Sequence, residues 1–277
     1  MKKTACASLL AGIGLAGSVL SAPVFAASTE MVERDGHKIA FHVTPGHLPV
    51  IVLDAGGGLD SSYWDAFLPE LAKKTGAKII TYDRPGFGAS DDVPGPWSLE
   101  SATADLERGL EKLGADHDVI LVSHSIAGEI ATSLTRAHPG WFKGAVLVDA
   151  NVPPFFTDEE VARAMKIYEP MIAKIKTAPP SPQTRQLLAV SDSYVETSRA
   201  FHAMSWPSSV PVEVIVSEKT PLETPEDAQA WRDAEAAFAK GAPNRKLIVA
   251  ERSSHDVVHD RPDVIFKAIG AVAGKTP

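Results

Sequence analysis

Apolar residues in this chain fall into short unbroken runs, and between them apolar positions recur at helical spacing. The runs cover residues 50–53, 79–82, 119–122, 144–149, 211–216 and 245–249. Short apolar runs bounded by turn residues predict strands buried on both faces. Amphipathic spacing predicts helices over 98–112, 129–137 and 224–240, and a last helix opening at Asp260-Arg261-Pro262-Asp263 with Asp260 as its N-cap. Thr224-Pro225-Glu226-Asp227 is a strong helix start. Strands alternating with helices predict an α/β protein with a mostly parallel central sheet flanked by helices.

The pattern changes between residues 151 and 208. Thr157-Asp158-Glu159-Glu160 reads as a capping box before a helix over 161–176. Ala178-Pro179-Pro180-Ser181-Pro182 breaks that helix, and a second helical stretch runs toward Trp206-Pro207. No strand run interrupts this helical insertion.

Candidate chemistry sits where a strand hands over to a helix. Ser123-His124-Ser125-Ile126-Ala127-Gly128 directly follows the run 119–122 and precedes the helix over 129–137. A serine on such a turn projects its hydroxyl from the top of a sheet, with the helix N–H groups beside it. Ser123 and Ala127 flank it; both are small, as a turn with closely passing backbones requires. A histidine lies late in the chain. His255 follows the run 245–249 and a loop, so it should lie past a strand end, at the edge where open parallel sheets bind ligands.

With these residues in view, the chain resembles the α/β-hydrolases over roughly residues 30–272. The segment from Val50 through Asp54-Ala55-Gly56-Gly57-Gly58 to Trp64 resembles that family's oxyanion strand and loop. Tyr82-Asp83-Arg84-Pro85-Gly86-Phe87-Gly88 resembles its next strand and turn, and Ser253-Ser254-His255 with Asp260-Arg261-Pro262 its histidine loop. Ala55 stands where many members have histidine. The resemblance implies an α/β-hydrolase core over 27–150 and 209–277 with a helical cap over 151–208. It implies Ser125 as nucleophile, His255 as general base, and the N–H groups of Gly57 and Ile126 as the oxyanion hole.

The family order is serine, acid, histidine. The usual acid position, after the run 211–216, falls on Thr220, which cannot serve. Asp149, closing the run 144–149, is the expected replacement; some members of the family place the acid there. Glu218 is the alternative acid, and Glu223 or no acid at all the remaining ones; Glu223 lies outside the residues described below. Asp83 precedes Ser125 and resembles a structural turn. His124 is expected to alternate away from the site, His259 to start the last helix, and His202 to lie in the cap.

The implied activity is an exported serine hydrolase. It would cleave an ester, lactone or related acyl bond of a small, apolar acyl substrate. An inactive binding protein on the same fold, a carbon–carbon bond hydrolase and a cofactor-free oxygenase are the alternatives. Serine at position 125 sets aside the aspartate-nucleophile dehalogenases and epoxide hydrolases. Neither a G-x-x-x-x-G-K-[ST] loop nor an H-E-x-x-H helix occurs, so no cofactor or metal is implied.

Residues 1–26 read as a secretory signal peptide: Met1-Lys2-Lys3, an apolar stretch over 5–20, and small residues at Val24 and Ala26. This predicts a periplasmic or secreted protein without a stable membrane anchor. The one cysteine, Cys6, would leave with the leader. The mature chain would then rely on its core rather than on disulfides. The formal net charge is −8, and loss of Lys2 and Lys3 would take it to −10. Such acidity argues against nucleic acid or anionic lipid as a partner.

Overall fold

The computed structural model describes residues 27–222 and 224–274; the leader expected over 1–26 lies outside them. Eight strands form one sheet: β1 (Ser28–Arg34), β2 (His37–Thr44), β3 (His47–Asp54), β4 (Ala77–Tyr82), β5 (Val119–His124), β6 (Phe142–Val148), β7 (Val212–Ser217) and β8 (Arg245–Ala250). Their spatial order is β1-β2-β4-β3-β5-β6-β7-β8. β2 runs antiparallel to β1 and β4, and the remaining pairs are parallel.

The helices are α1 (Leu68–Thr75), α2 (Leu99–Lys112), α3 (Ala127–Ala137), α4 (Asp158–Thr177), α5 (Pro182–His202), α6 (Pro225–Lys240), α7 (Val257–Asp260) and α8 (Pro262–Val272). The two-residue period of the strands sorts the core into two layers. Val50, Val52, Val119, Leu121, Leu147 and Val214 face α2, α3 and α6. Ile51, Leu53, Ile120, Val122, Val148 and Ile215 face α1 and α8. The runs of β3 to β7 are unbroken because both sheet faces are covered there, whereas the edge strand β8 leaves Leu247 and Val249 exposed.

Three features depart from the sequence expectations or add to them. The hairpin β1–β2 was not anticipated; its turn is Asp35-Gly36, with φ of 50° and 82°, the positive pair a tight hairpin demands. The capping box at Thr157 is half formed. Thr157 Oγ1 accepts from the Glu160 N–H at 3.2 Å, but the Glu160 carboxylate pairs with Arg163 instead of reaching back. Asp260 does not cap α8, whose N-cap is Arg261. Its Oδ2 instead accepts from the Ser254 N–H and Oγ, both at 2.7 Å, because a short helix, α7, intervenes.

Between β6 and β7 the chain forms the α4–α5 helical hairpin. Its break spans 178–181, and Ser181 with Thr184 caps α5 reciprocally. Val161 and Phe201 root the hairpin in the core, with Phe155 and Phe156 at its base. Among the described residues, no helix is long and apolar enough to cross a membrane.

Candidate active site

β5 ends in the turn that carries Ser125, whose φ is +58°. A non-glycine residue in this region stores strain, and the surroundings hold it there. The Ser125 N–H donates to Val148 O at 3.3 Å, and its carbonyl accepts from the Gly128 and Asn151 N–H groups at 3.0 and 2.8 Å. Ser123 and Ala127 are wholly buried. The position that tolerates no side chain is Gly128, where a Cβ would lie 2.2 Å from Asn151 O.

β6 lies beside β5 with His124 opposite Val148, so Asp149 emerges at the same sheet edge as Ser125. Asp149 is fully buried with φ of +44°. Its Oδ1 accepts from Ser217 N–H and Trp231 Nε1–H, each at 3.0 Å. Its Oδ2 accepts from Ser217 Oγ at 2.7 Å and lies 2.6 Å from His255 Nδ1. A carboxylate opposite Nδ1 assigns the proton to that nitrogen and leaves Nε2 as an acceptor. Neither His255 Nε2 nor the Ser125 hydroxyl makes a hydrogen bond with a described residue.

Glu218 is exposed, and its Oε2 accepts from the Arg252 N–H at 2.6 Å. Thr220 contacts its own loop at Leu222. The carboxylate that meets His255 is therefore Asp149.

His124 does not turn away as expected. The alternation holds and sends its ring to the α1–α8 face, but the His255 loop runs into α7 and α8 on that face. His124 Nε2–H donates to His255 O at 3.0 Å, and the two rings lie 4.6 Å apart. Burial, followed by the nearby His255, pushes the His124 pKa down to about 4, so it stays neutral. Tyr63 stacks on His124 at 5.1 Å and donates to Asp256 Oδ1 at 2.8 Å. His259 reaches the same Asp256 oxygen at 2.8 Å, and His202 donates to Pro153 O.

Gly57 and Ile126 face each other: a Cβ on Gly57 would lie 3.5 Å from Ile126 Cγ2. Neither N–H donates to a described residue. At Gly56 a Cβ would sit 2.8 Å from His124 Nδ1 and 3.3 Å from Ser125 Cβ, so glycine lets this loop lie against the serine turn. Arg84 ties the loop down through Asp54 Oδ1 at 2.8 Å and through the Ala55 carbonyl. Asp83 is structural, accepting from Ser61 N–H, Ala89 N–H and His42. A cavity of about 50 Å³ beside the two N–H groups is lined by Gly57, Gly58, Ile126, Ile130, Leu187 and Val190, among others. A larger groove, between α5 and α2, is lined by neither Ser125 nor His255.

Sequence reasoning missed Arg84, Tyr63, Ser217 and Trp231 as parts of the site. Arg84 stands inside the quoted turn motif and Ser217 directly follows a predicted strand. Trp231 sits among the apolar positions of α6 and gives no separate signal. Among the described residues, no group of His, Cys, Asp and Glu is arranged to hold a metal ion.

A mostly parallel sheet with a serine on a left-handed strand-to-helix turn and an Asp–His pair at the same edge defines an α/β protein with the hydrolase fold. The model of the alpha/beta hydrolase family matches residues 51–268, and the chain belongs to that family. It is 26% identical to a probable transporter, EfuK, of Hormonema carpetanum over 199 residues, 70% of this chain but 27% of that one. The chain thus spans about a quarter of that relative. A bromoperoxidase from Bacillus anthracis superposes with a TM-score of 0.67 at 18% identity, covering 90% of this chain and all of that one. An esterase from Exiguobacterium antarcticum gives a TM-score of 0.65 at 16% identity, covering 88% and 99%.

Proposed function

We propose that this hydrolase cleaves an ester, lactone or related acyl bond through Ser125, His255 and Asp149. The observation that carries the reading is the 2.6 Å contact between His255 Nδ1 and a buried Asp149 at the sheet edge that also presents Ser125. In this reading the Ser125 hydroxyl rotates toward His255 Nε2, which takes its proton as Oγ attacks the carbonyl carbon. The N–H groups of Ile126 and Gly57 receive the oxyanion, and one such donor is worth about 3 kcal/mol of barrier. His255 returns the proton to the leaving oxygen as its bond to carbon breaks. Water then releases the acyl group by the same steps. Asp149 fixes the tautomer and stabilises the imidazolium.

The test is turnover of p-nitrophenyl acyl esters with labelling by a fluorophosphonate. The parent should hydrolyse the esters and take up one label at Ser125. Ser125→Ala should do neither while folding normally. A variant rate within about tenfold of the parent overturns the assignment, since a triad serine carries on the order of 10⁶ in kcat. Residues 1–26 are part of the same proposal, as a leader for export. Mass spectrometry of the protein recovered outside the cytoplasm should find an N-terminus at Ala27.

A further inference from the structure

The groove between α2 and α5 encloses about 1210 Å³, enough for a small organic ligand. One wall is the face of α2 that carries Glu100 and Glu107, seven residues apart. The other is the face of α5 that carries Leu188, Asp192 and Glu196. Trp97 and Met204, half-buried against the core, add apolar lining between them. Glu107 is met by His138 Nε2 at 2.8 Å, whereas Glu100, Asp192 and Glu196 form no ion pair among the described residues. Arg185 is the one Lys or Arg of the described lining, and its Nε donates to Asp92 Oδ2 at 2.9 Å. It therefore does not neutralise the carboxylates. Asp192 and Glu196 stand four apart, where like charges destabilise a helix, so this pair works against α5.

The groove adjoins the small cavity at the oxyanion donors. Trp97 and Gln186 line both, and Gly57 and Ile126 line the smaller one. Gln186 is 7% exposed; its Nε2 donates to Val93 O at 2.6 Å, and its Oε1 makes no hydrogen bond with a described residue. A buried amide oxygen without a partner adds partial negative charge to this shared wall. The smaller cavity, about 50 Å³, has room for only a few heavy atoms, so a longer substrate must extend out of it.

We propose that the groove binds a cationic arm of the substrate: an apolar chain, ending in a protonated or quaternary amine, on the acyl group whose carbonyl lies at Gly57 and Ile126. The chain runs past Trp97 and Gln186, and the ammonium group meets Glu100, Asp192 and Glu196. Carbonyl and cation are then recognised by different chemistry, backbone N–H groups for one and carboxylates for the other.

The assignment rests on the acyl-hydrolase reading, and the experiment separates the two. The probes are the p-nitrophenyl esters of octanoate, of ω-trimethylammonio-octanoate and of suberate as its half ester, which place a neutral, a cationic and an anionic end on one chain length. The parent should favour the cationic over the anionic ester at least tenfold in kcat/KM, chiefly through KM. Asp192→Asn with Glu196→Gln, two exposed positions whose loss of charge leaves folding intact, should shrink that ratio about tenfold. Asp65→Asn with Glu70→Gln removes the same charge near α1, on the opposite side of the sheet, and should shrink it less than twofold. Titration calorimetry of Ser125→Ala protein with octyltrimethylammonium and with octyl sulfate reads the groove without turnover. The cation should bind at least tenfold tighter than the sulfate, and the Asp192 and Glu196 changes should abolish that difference. If no ester is cleaved, the Ser125 chemistry falls while this titration still decides the groove. Equal Kd values for the two amphiphiles, equal effects of the two double variants, or cleavage indifferent to the charged end would overturn the assignment.

Discussion

In the proposed mechanism Asp149 is the residue on which the chemistry turns, and its surroundings explain why. Four donors converge on one buried carboxylate: the Ser217 N–H and hydroxyl, the Trp231 indole and the His255 ring. This set fixes the carboxylate in place and orients the imidazole. Asp149→Asn would fill the same space but present an amide N–H to His255 Nδ1, favouring the wrong tautomer. It should keep the fold and lower kcat by on the order of 10⁴, read with p-nitrophenyl esters. Glu218→Gln should stay within about twofold, since a glutamine oxygen can still accept from the Arg252 N–H. A kcat hierarchy in the opposite order would return the acid to the loop after β7.

Elements place these residues, and the sequence announced the elements unevenly. Five strands were legible as apolar runs because their sheet is covered on both faces, and the sixth, β8, from Leu247-Ile248-Val249 although it lies open at the sheet edge. β2 was not, because His37, Lys38, His42 and Thr44 break up its apolar positions, and β1 is mostly exposed. Only Asp35-Gly36 marks their hairpin. Ser125, Asp149 and His255 were legible from chain order and strand ends; the roles of Tyr63 and Trp231 depend on contacts 193 and 82 residues apart, which no local pattern encodes. The junction of α3 with the loop after β6 offers a direct test. Gly128→Ala drives a Cβ into the Asn151 backbone and should lower stability by about 3 kcal/mol. Gly140→Ala, where a Cβ meets nothing within 4 Å, should shift the melting temperature little. Comparable shifts for both would mean that α3 can slide at low cost.

At the scale of the whole molecule, buried titratable groups set how stability responds to pH. Burial pushes Glu129 up from 4.5 to about 7. An acid raised on folding contributes fully below its unfolded pKa, and that contribution is lost as pH rises through the folded value. The window runs from pH 4.5 to 7 and amounts to about 3 kcal/mol. Glu235, fully buried with neither oxygen partnered among the described residues, is raised well above its ordinary value, first by burial and then by Asp149. It acts in the same direction. His124, lowered from 6.5 to about 4, acts oppositely and adds stability as pH rises between those values. The parent curve should therefore be flatter than any one group implies. The difference between Glu129→Gln and the parent isolates one term: chemical denaturation should show the variant gaining about 3 kcal/mol relative to the parent between pH 4.5 and 7. A difference that does not change with pH would mean that Glu129 is solvated in the folded protein.

The position of Asp149 before the helical hairpin has a consequence for how such a protein can diversify. In the proposed triad, serine and acid are both in place by residue 149 and the histidine follows only at 255, so residues 157–208 supply none of the three. Apart from the core anchors Val161 and Phe201, the hairpin can vary in sequence without touching the groups of the proposed triad. A graft of a foreign two-helix segment between Thr157 and Ser208 should change which acyl compounds are accepted, while the rate of labelling by a small fluorophosphonate stays close to that of the parent.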